Sequence, residues 1–518
     1  MKGENMLEEL HLLDQLVSSA GSIWIYGAGQ MGRCVHHYLE AKEIVCRGFL
    51  VTGKPEASRV QGMRVWGLSE AYDDLIRERA TILIAVKGAV KEEITDKLRE
   101  LEVPKGVLLS DHLLNEILQI YYGQIAAERE STKKKRTDSR LQVGYLEQGE
   151  FGSAYPEKRL IIQKCKDIEY CVIPKEVELT KRDDAMQEWR AMEGLYIPRY
   201  YHPCVDIIHT MNTVCHTDLP WCASFETCVP VAYDDRYYDR LAELIEKDNC
   251  LQLFPLCKNA KDIQASMLKE KLGEKRAANI LKKTSVLHPP QKVLLDEEEI
   301  KRMEAGGTYA RSGKMTFLFI GREFFMKGGK EMLEVLIRWH GEIDFRLIII
   351  SNLKYNDYFT AAPKKEKEEC LGLIAENPWI EHYESLPNEE VLLKCKEADI
   401  GIFPSYGDTY GYACLEMQAA GVPVITSNIR AFPEINDKNC GWICNLPVND
   451  LGYCRKDMGM DFLRETLIAE LNRCLEDIFE NPEALQRKRI CALDRIKRMH
   501  DPEQYGQTLM RLYQSVRT

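Results

Sequence analysis

Short apolar runs alternate with amphipathic segments through the first part of the chain. Each run ends at a polar or glycine-containing turn, and the apolar residues of the next segment then recur with the period of a helix. This alternation is typical of βαβ units, whose strands form a parallel sheet. The predicted strands are Ser22–Tyr26, Gly48–Val51, Thr81–Val86 and Val107–Leu109.

A polar stretch without apolar periodicity follows at 126–140. Charged and small polar residues dominate it, which is typical of a solvated linker. The basic cluster Lys133–Arg136 leaves a second interpretation open, namely contact with an anionic membrane surface. We predict a linker between two folded regions.

The pattern is less regular at 141–312 and regular again at 313–518. Residues 248–272 predict a short strand followed by a helix, and the charged, glycine-containing stretch 304–311 suits a hinge. Tyr505–Val516 predicts a final helix that packs against the 141–312 region through Leu509, Leu512 and Tyr513. The predicted strands are Leu160–Gln163, Val205–His209, Trp221–Phe225, Thr284–Pro290, Met315–Ile320, Phe345–Ile350, Ile400–Phe403 and Val422–Thr426.

These patterns predict an α/β protein of more than one domain. A chain of 518 residues exceeds what one hydrophobic core usually organises. We predict three Rossmann-like domains, at 1–125, 141–312 and 313–518, with a linker at 126–140.

Composition favours an ordinary globular protein. Of the residues, 45% are hydrophobic and 29% are charged, and the net charge of -11 gives no general attraction to nucleic acid. We therefore expect no nucleic-acid partner. The start Met1–Asn5 lacks the features of a secretory signal, and no apolar run is long enough to span a bilayer. The 18 cysteines are expected to be free, buried thiols in a reducing cytoplasm.

Asp408 and Glu416 stand on either side of a predicted loop-to-helix junction. The apolar run Ile400–Phe403 precedes them and Val422–Thr426 follows, so the segment is predicted as strand, loop, helix, strand. Loops at the carboxyl ends of parallel strands bind ligands, and the amides at a helix start favour a phosphate. The alternative role for Asp408 is a helix N-cap. A nucleotide diphosphate fits the predicted geometry.

Two cations follow the predicted strand Met315–Ile320. Arg322 and Lys327 lie in the loop after Gly321, before the next predicted helix. The planar fork of an arginine and the point charge of a lysine can together neutralise a diphosphate. The alternative is that both are solvated loop cations.

From about 141 to 518, and most strongly over 316–442, the chain resembles the retaining glycosyltransferases of family 4. Their fold, called GT-B, has two facing Rossmann-like lobes. The resemblance implies that Arg322 and Lys327 form a diphosphate clamp, that Asp408 meets donor-sugar hydroxyls and that Glu416 accepts hydrogen bonds from the ribose. The family has glutamate where Asp408 stands, so the donor sugar or its pose is expected to differ. The implied donor-binding residues are Gly321, Arg322, Lys327, Asp408, Thr409, Tyr410, Gly411, Tyr412 and Glu416.

Glu226 and His209 are the candidate site residues of the first lobe. In many relatives the strand matching Trp221–Phe225 ends in a histidine near the reacting carbon, and Glu226 holds the matching position here. Glu226 would accept a donor hydroxyl or act as a general base toward the acceptor. For His209, Lys258 and His288 a site role and a structural role are equal alternatives. The candidate catalytic residues are Arg322, Lys327, Asp408 and Glu226.

A strand, a glycine-rich turn and a helix occur in that order in the amino-terminal module. The ligand candidates in the turn are Gly27, Gly29, Gln30, Met31 and Gly32, which could hold a pyrophosphate on helix-start amides. NAD binding would need an acid at the end of the second strand, and none occurs at 48–54. The layout resembles the small Rossmann-like domain that precedes bacterial sugar acetyltransferases, which can bind a nucleotide sugar. A nucleotide-free scaffold is the alternative.

The resemblance implies a retaining transfer of sugar from a nucleotide-diphosphate donor, with no metal or other cofactor required. The acceptor would be a glycan, a lipid-linked glycan or a protein in bacterial surface polysaccharide or glycoconjugate synthesis. A cytoplasmic location is expected, with peripheral contact at the inner face of the membrane and oligomerisation left open. The alternatives are a dinucleotide-dependent sugar oxidoreductase or epimerase, and a non-catalytic nucleotide-sugar sensor or assembly subunit.

Overall fold

A computed structural model gives the architecture of the chain. The residues that it describes are 4–53, 55, 59–60, 63–86, 90–101, 103, 105–118, 120–121, 124, 140–147, 159–161, 167–174, 195–196, 205–231, 235–305, 314–354 and 364–517. The contacts between residues divide the chain into two compact units. The first comprises Met1–Gly149, Cys171–Asp206 and Cys215–Leu219, and the second comprises Glu150–Tyr170, Ile207–Val214 and Pro220–Thr518.

The amino-terminal sheet of the first unit has six strands in the order β3-β4-β2-β1-β5-β6. All neighbours are parallel except β3 and β4. The strands are β1 (Ile23–Tyr26), β2 (Phe49–Val51), β3 (Arg59–Val60), β4 (Met63–Gly67), β5 (Thr81–Ile84) and β6 (Lys105–Leu108). The helices around them are Glu4–Ser18, Gln30–Glu40, Leu68–Arg77 and Val90–Glu100. The α/β class predicted for this region is confirmed.

Both faces of this sheet are covered, because successive side chains of β1 enter different cores. Ile23 and Ile25 belong to a cluster with the Gln30–Glu40 helix, whereas Trp24 and Tyr26 belong to one with the Leu68–Arg77 helix. A strand buried on both sides needs a continuous apolar sequence, which β1 has. Three further strands follow in the chain, β7 (Leu141–Glu147), β8 (Ile168–Pro174) and β9 (Leu195–Tyr196).

The second unit contains two groups of parallel strands. In the first group β12 (Trp221–Phe225) lies between β10 (Ile207–Met211) and β13 (Cys250–Pro255), and a short β11 (Val214–Cys215) follows β10 in the chain. All residues of β10 and β12 are buried. The helices that follow are Asp235–Glu246, Lys258–Leu272, Glu274–Lys282 and Glu297–Glu304.

The second group is a six-stranded parallel sheet in the order β16-β15-β14-β17-β18-β19. Counted along the chain this is the 3-2-1-4-5-6 order of doubly wound nucleotide-binding sheets. The strands are β14 (Met315–Ile320), β15 (Phe345–Ile350), β16 (Ile380–Tyr383), β17 (Ile400–Phe403), β18 (Val424–Ser427) and β19 (Gly441–Cys444). The helices are Gly329–His340, Lys364–Glu376, Asn388–Glu397, Tyr412–Ala419, Phe432–Ile435, Met460–Glu480, Pro482–Met499 and Pro502–Gln514.

Two predicted strands are wrong. Residues 284–288 run beside β13, where Leu253 and Thr284 form an isolated bridge and the N–H groups of Ser285 and Leu287 donate to β13 carbonyl oxygens. No continuous strand forms, and the prolines at 289 and 290 cannot donate backbone hydrogen bonds. In the predicted strand Leu160–Gln163 the first residue is helical and Ile161 lies in a turn, while 162–163 lie outside the described residues. Both described residues are fully buried. Their apolar character, which suggested a strand, is therefore explained by their packing in the core.

The predicted linker lies outside the described residues over 126–139, and the predicted hinge does so over 306–311.

The Pro502–Gln514 helix buries Tyr505, Leu509 and Tyr513, which are spaced four residues apart and therefore share one face. The Tyr505 hydroxyl donates to the Leu160 carbonyl oxygen at 2.8 Å.

Every described cysteine is free, and all but Cys491 are buried. No helix in the described part of the chain has the length and apolar character to cross a membrane.

Candidate functional site

The candidate site begins where the order of the six-stranded sheet reverses. β14 and β17 are neighbours, and from them the chain builds outward in opposite directions. The loops after these two strands therefore separate and leave a crevice at their carboxyl ends. Lys327 follows β14 and Asp408 follows β17, so both sequence candidates lie in crevice loops.

Glycine brings the β14 loop close to the β17 loop. Gly328 has a φ of +69°, and a Cβ there would lie 2.4 Å from the Pro404 carbonyl oxygen. A larger residue would separate the loops, because neither the backbone conformation nor the space suits a side chain. The alkyl stem of Lys327 crosses Gly321, where a Cβ would lie 2.5 Å from the lysine Cδ. The loop thus directs the Lys327 ammonium toward the next strand.

Lys327 and Asp408 form an ion pair across the crevice. Their side chains are only 14% and 12% exposed. The second carboxylate oxygen of Asp408 accepts the Tyr410 backbone N–H at 3.0 Å. Asp408 is not a helix N-cap, because the next helix begins at Tyr412 after Gly411. The loop therefore fixes the carboxylate by a local turn and by a distant cation.

Glu226 reaches this region from the end of β12. Its backbone N–H donates to Asn212 Oδ1 at 3.0 Å, which ties the end of β12 to the end of β10. Burial and the nearby Asp408 charge raise the pKa of Glu226 to about 7, although a hydrogen bond from Thr409 and the Arg430 charge oppose the rise. Its carboxyl group can therefore change protonation near neutral pH.

Arg430 completes the group and was not anticipated from the sequence. It lies after β18, and its Nε donates to Asn259 Oδ1 at 3.0 Å. Its Nη2 donates to Thr227 Oγ1 at 3.0 Å, and its guanidinium lies 4.6 Å from the centre of the Tyr453 ring. The available sequence signal was a cation shortly after a predicted strand, the feature that singled out Arg322 and Lys327.

A cavity of about 330 Å³ lies beside Lys327, Asp408 and Arg430. This volume is at the lower end of the range for small-molecule sites. Its lining includes Lys327, Asp408, Thr409 and Arg430, with Met326 and Tyr453 as apolar wall. The charged lining residues are two cations, Lys327 and Arg430, and two carboxylates, Asp408 and Glu323. Each carboxylate is paired with a lysine, Asp408 with Lys327 and Glu323 with Lys354, so Arg430 favours a polar ligand bearing negative charge.

Glu416 is buried, away from the lining of this cavity. One of its carboxylate oxygens accepts from Arg159 Nη1 at 3.2 Å, and the Arg159 guanidinium lies 4.6 Å from the Tyr412 ring centre. Arg159 also donates to the Pro290 carbonyl oxygen at 3.3 Å. The partner that the buried carboxylate requires is therefore a cation of the chain itself.

Three other candidate residues differ in how far they are exposed to solvent. Arg322 is exposed at the start of the β14 loop. Tyr410 is fully buried, with its hydroxyl 3.2 Å from His288 Nδ1. His209 is fully buried between Tyr513 and Ser224, and burial lowers its pKa to about 3.

Glu434 joins two further elements of the second unit. Its carboxylate accepts the backbone N–H groups of Lys258 and Asn259 at 2.8 and 2.7 Å, at the start of the Lys258–Leu272 helix. A carboxylate at a helix start satisfies otherwise unpaired donors and opposes the positive end of the helix dipole. Lys258 thus takes part in the structure through its backbone.

The three glycines of the amino-terminal turn have different surroundings. A Cβ on Gly32 would lie 1.8 Å from the Gly27 carbonyl oxygen, and Gly27 itself has a φ of +108°. Gly29 has an ordinary φ of −75° and nothing within 4 Å of an added Cβ. Packing therefore requires glycine at 27 and 32, whereas the described residues leave open space at 29.

Two further features of this module bear on ligand binding: the residues that start the helix after the turn, and the end of β2. Met31 packs against the core, and the side chain of Gln30 lies outside the described residues. At the end of β2, where an NAD site has an acid, Thr52 Oγ1 lies 2.7 Å from the Tyr26 hydroxyl. The described end of this strand thus offers a hydroxyl in place of a carboxylate.

Residues 307–450, which include β14 to β19, match the family described as "Glycosyl transferases group 1". Two bacterial proteins, each named D-inositol 3-phosphate glycosyltransferase, are similar to part of the chain. The one from Pseudarthrobacter chlorophenolicus is 26% identical over 120 residues, covering 23% of this chain and 27% of its own length. The one from Corynebacterium kroppenstedtii is 24% identical over 127 residues, covering 24% and 28%. The match therefore spans little more than a quarter of either relative.

A sucrose-phosphate synthase structure from Thermosynechococcus elongatus is also similar. It aligns at 11% identity with a TM-score of 0.47, covering 73% of this chain and 99% of its own. At that score the likeness adds nothing to the fold assignment, which rests on the sheet topology.

Proposed function

We propose that the protein is a retaining glycosyltransferase that moves a sugar from a nucleotide-diphosphate donor to an acceptor. The observation that carries the proposal is the Lys327–Asp408 pair at the reversal point of the doubly wound sheet. The pair lies within the segment that matches the group 1 glycosyl transferases. A GT-B arrangement of 141–312 and 313–518, with family 4 chemistry, is part of the proposal.

In this scheme the protein acts mainly by electrostatics. Lys327, together with Arg322 and the amides of the Thr409–Tyr412 loop, would stabilise the diphosphate as its bond to the anomeric carbon breaks. Asp408 would accept hydroxyls of the donor sugar, since an ionised carboxylate is purely an acceptor. On ligand binding the Lys327 ammonium would be shared between Asp408 and the diphosphate.

Glu226 would serve the same reaction from the end of β12. A carboxyl group with a pKa of about 7 is partly ionised at neutral pH, as a general base requires. It would accept the proton of the attacking acceptor hydroxyl, or hold a donor hydroxyl. The acceptor proposed is a glycan, a lipid-linked glycan or a protein.

For Glu416 we retain the ribose contact as a proposal. The Arg159 pair occupies one carboxylate oxygen, and a carboxylate has lone pairs for further donors. Ribose hydroxyls would then bind beside Arg159 and leave the ion pair in place.

A nucleotide or nucleotide-sugar site in the amino-terminal module is a second proposal. Gly29 supports this proposal, because neither its backbone conformation nor the packing of the described residues around it requires a glycine. In dinucleotide-binding turns the middle glycine lets a pyrophosphate approach the backbone. The module would bind its ligand without catalysing a reaction.

Incubation with a panel of nucleotide sugars tests the main proposal. We expect slow hydrolysis of one donor without acceptor, and loss of that hydrolysis in Asp408→Asn. Asp457→Asn is the matched control, because this exposed aspartate pairs with Arg455 at the surface. A change in nicotinamide absorbance would instead indicate an oxidoreductase, and binding without turnover would indicate a sensor. Either result would overturn the proposed transfer.

A further inference from the structure

Arg430 is a buried cation whose hydrogen-bond acceptors among the described residues are all neutral. It is only 8% exposed, and its hydrogen-bond acceptors are Asn259 Oδ1, Thr227 Oγ1 and, more distantly at 3.4 Å, the Glu226 carbonyl oxygen. Within the described part of the chain it forms no ion pair, and its Nη1 has no acceptor. A buried charge without an opposite charge is costly, because neutral acceptors replace only part of its hydration.

Neither Asp408 nor Glu226 neutralises Arg430. Asp408 is paired with Lys327, the other cation in the cavity lining. Glu226 has a pKa raised to about 7, so at neutral pH its carboxyl group carries only part of a negative charge. The remaining carboxylate of the lining, Glu323, is paired with Lys354 at 3.2 Å, so the cavity keeps an uncompensated positive charge at Arg430.

The backbone at Arg430 is also strained. Its φ is +45°, in the left-handed region that residues with a side chain rarely adopt. Such strain persists only where surrounding contacts fix it, and it concentrates at ligand sites. Here the contacts come from residues 227, 259 and 453, which hold the guanidinium at the cavity wall.

We propose that Arg430 binds an anionic oxygen group of the ligand in this cavity. The group is either a phosphate of the nucleotide donor or a carboxylate on an acidic donor sugar. Both present oxygens to the planar guanidinium fork, and Nη1 has donors free for them. The inference rests on the proposed nucleotide-sugar function and adds a binding residue to the same cavity.

The test compares ligand binding by Arg430→Gln with that of the wild-type protein. The control Arg455→Gln removes an exposed arginine whose acid partner lies at the surface. Probes are uridine, guanosine and adenosine diphosphates, their monophosphates, UDP-glucose and UDP-glucuronic acid, with affinity measured by calorimetry. We expect roughly tenfold or greater weakening in Arg430→Gln and less than about twofold in Arg455→Gln.

The pattern of loss identifies the source of the anion. Weakening for diphosphates but not monophosphates assigns the distal phosphate, whereas weakening confined to UDP-glucuronic acid assigns the sugar carboxylate. Equal affinity of Arg430→Gln and wild-type protein for every probe would overturn the inference and leave the proposed function standing. Failure of the wild-type protein to bind any probe would count against both.

A structure of the wild-type protein with the bound probe decides the matter if Arg430→Gln does not fold. An anionic oxygen within about 3.2 Å of an Arg430 guanidinium nitrogen supports the inference. A bound ligand with no such contact overturns it.

Discussion

Glu226 and Asp408 lie at the ends of strands in two different sheets, yet the Asp408 charge helps to raise the pKa of Glu226. A nearby negative charge disfavours the ionisation of a buried carboxyl group and so raises its pKa. Burial is the larger cause of the raised pKa of Glu226, and the charge of Asp408, which is paired with Lys327, adds to it.

Removing Glu226 should therefore change the pH dependence of stability. The pKa is about 7 in the folded protein against an ordinary 4.5, so the folded state binds more protons between these values. The stabilisation from this group is present at low pH and is lost as pH rises from about 4.5 to about 7. Relative to wild type, Glu226→Gln should gain stability with rising pH, by at most about 3 kcal/mol at pH 8.

Thermal unfolding between pH 5 and pH 8 measures this difference. Glu243→Gln, at an exposed position of the Asp235–Glu246 helix, is the matched control and should follow the wild-type profile. If the profiles of Glu226→Gln and wild type are parallel, Glu226 does not titrate in this range.

Lys327→Met should impair turnover more than nucleoside recognition. The ammonium is placed where the diphosphate charge develops, and removing one such group typically costs about 10²-fold or more in rate. Donor hydrolysis and nucleoside binding, measured separately, distinguish the two effects. Lys314→Met is the control, because this exposed lysine pairs with Asp344, away from the residues that line the cavity.

For Arg322→Ala we expect a smaller loss than for Lys327→Met, because Arg322 is exposed. Equal losses would show that Arg322 moves into the site when the donor binds. No loss in either variant would remove the proposed clamp.

The part of this site that could be predicted from the sequence is the part formed by residues just after a predicted strand. β14 and β17 were predicted at their observed bounds, and the residue types after them pointed to Lys327 and Asp408. Arg430 could not be ranked above other loop cations, because its partners lie about 170 and 200 residues away in the chain. Arg159 was missed for the same reason. Its contact with Glu416 spans 257 positions, and periodicity contains no information about such pairs.

Glu416→Gln should lower stability and weaken nucleotide binding. The change leaves Arg159 buried beside a neutral amide, which costs about 1–3 kcal/mol in unfolding free energy. A ribose bound to the carboxylate would lose a charge-assisted hydrogen bond of similar size. Chemical denaturation gives the first quantity and calorimetry with a nucleotide gives the second.

A double-mutant cycle separates the two roles of Glu416. If the stability loss comes from the ion pair, Glu416→Gln should cost much less in an Arg159→Met background. Unchanged nucleotide binding in folded Glu416→Gln would assign the carboxylate to Arg159 alone and refute the ribose contact.

Alanine substitutions in the amino-terminal turn should separate glycines needed for folding from the one available to a ligand. In Gly32→Ala the Cβ would overlap the Gly27 carbonyl oxygen, and Gly27→Ala would add a side chain at a φ of +108°. Both should destabilise the first unit, by about 1–3 kcal/mol. Gly29→Ala should be neutral or slightly stabilising, since its φ suits alanine and the space is open.

Ligand binding completes this comparison, because Gly29→Val should keep the fold of the turn while blocking the approach of a phosphate to its amides. Thermal unfolding of the full chain measures the first property. Calorimetry with the nucleotide or nucleotide sugar that binds outside the Lys327–Asp408 cavity measures the second. Loss of that binding in folded Gly29→Val, with donor hydrolysis retained, would support a separate site in the amino-terminal module. If the wild-type protein binds only one equivalent of nucleotide, and folded Gly29→Val keeps that binding, the open space at Gly29 belongs to a scaffold without a ligand.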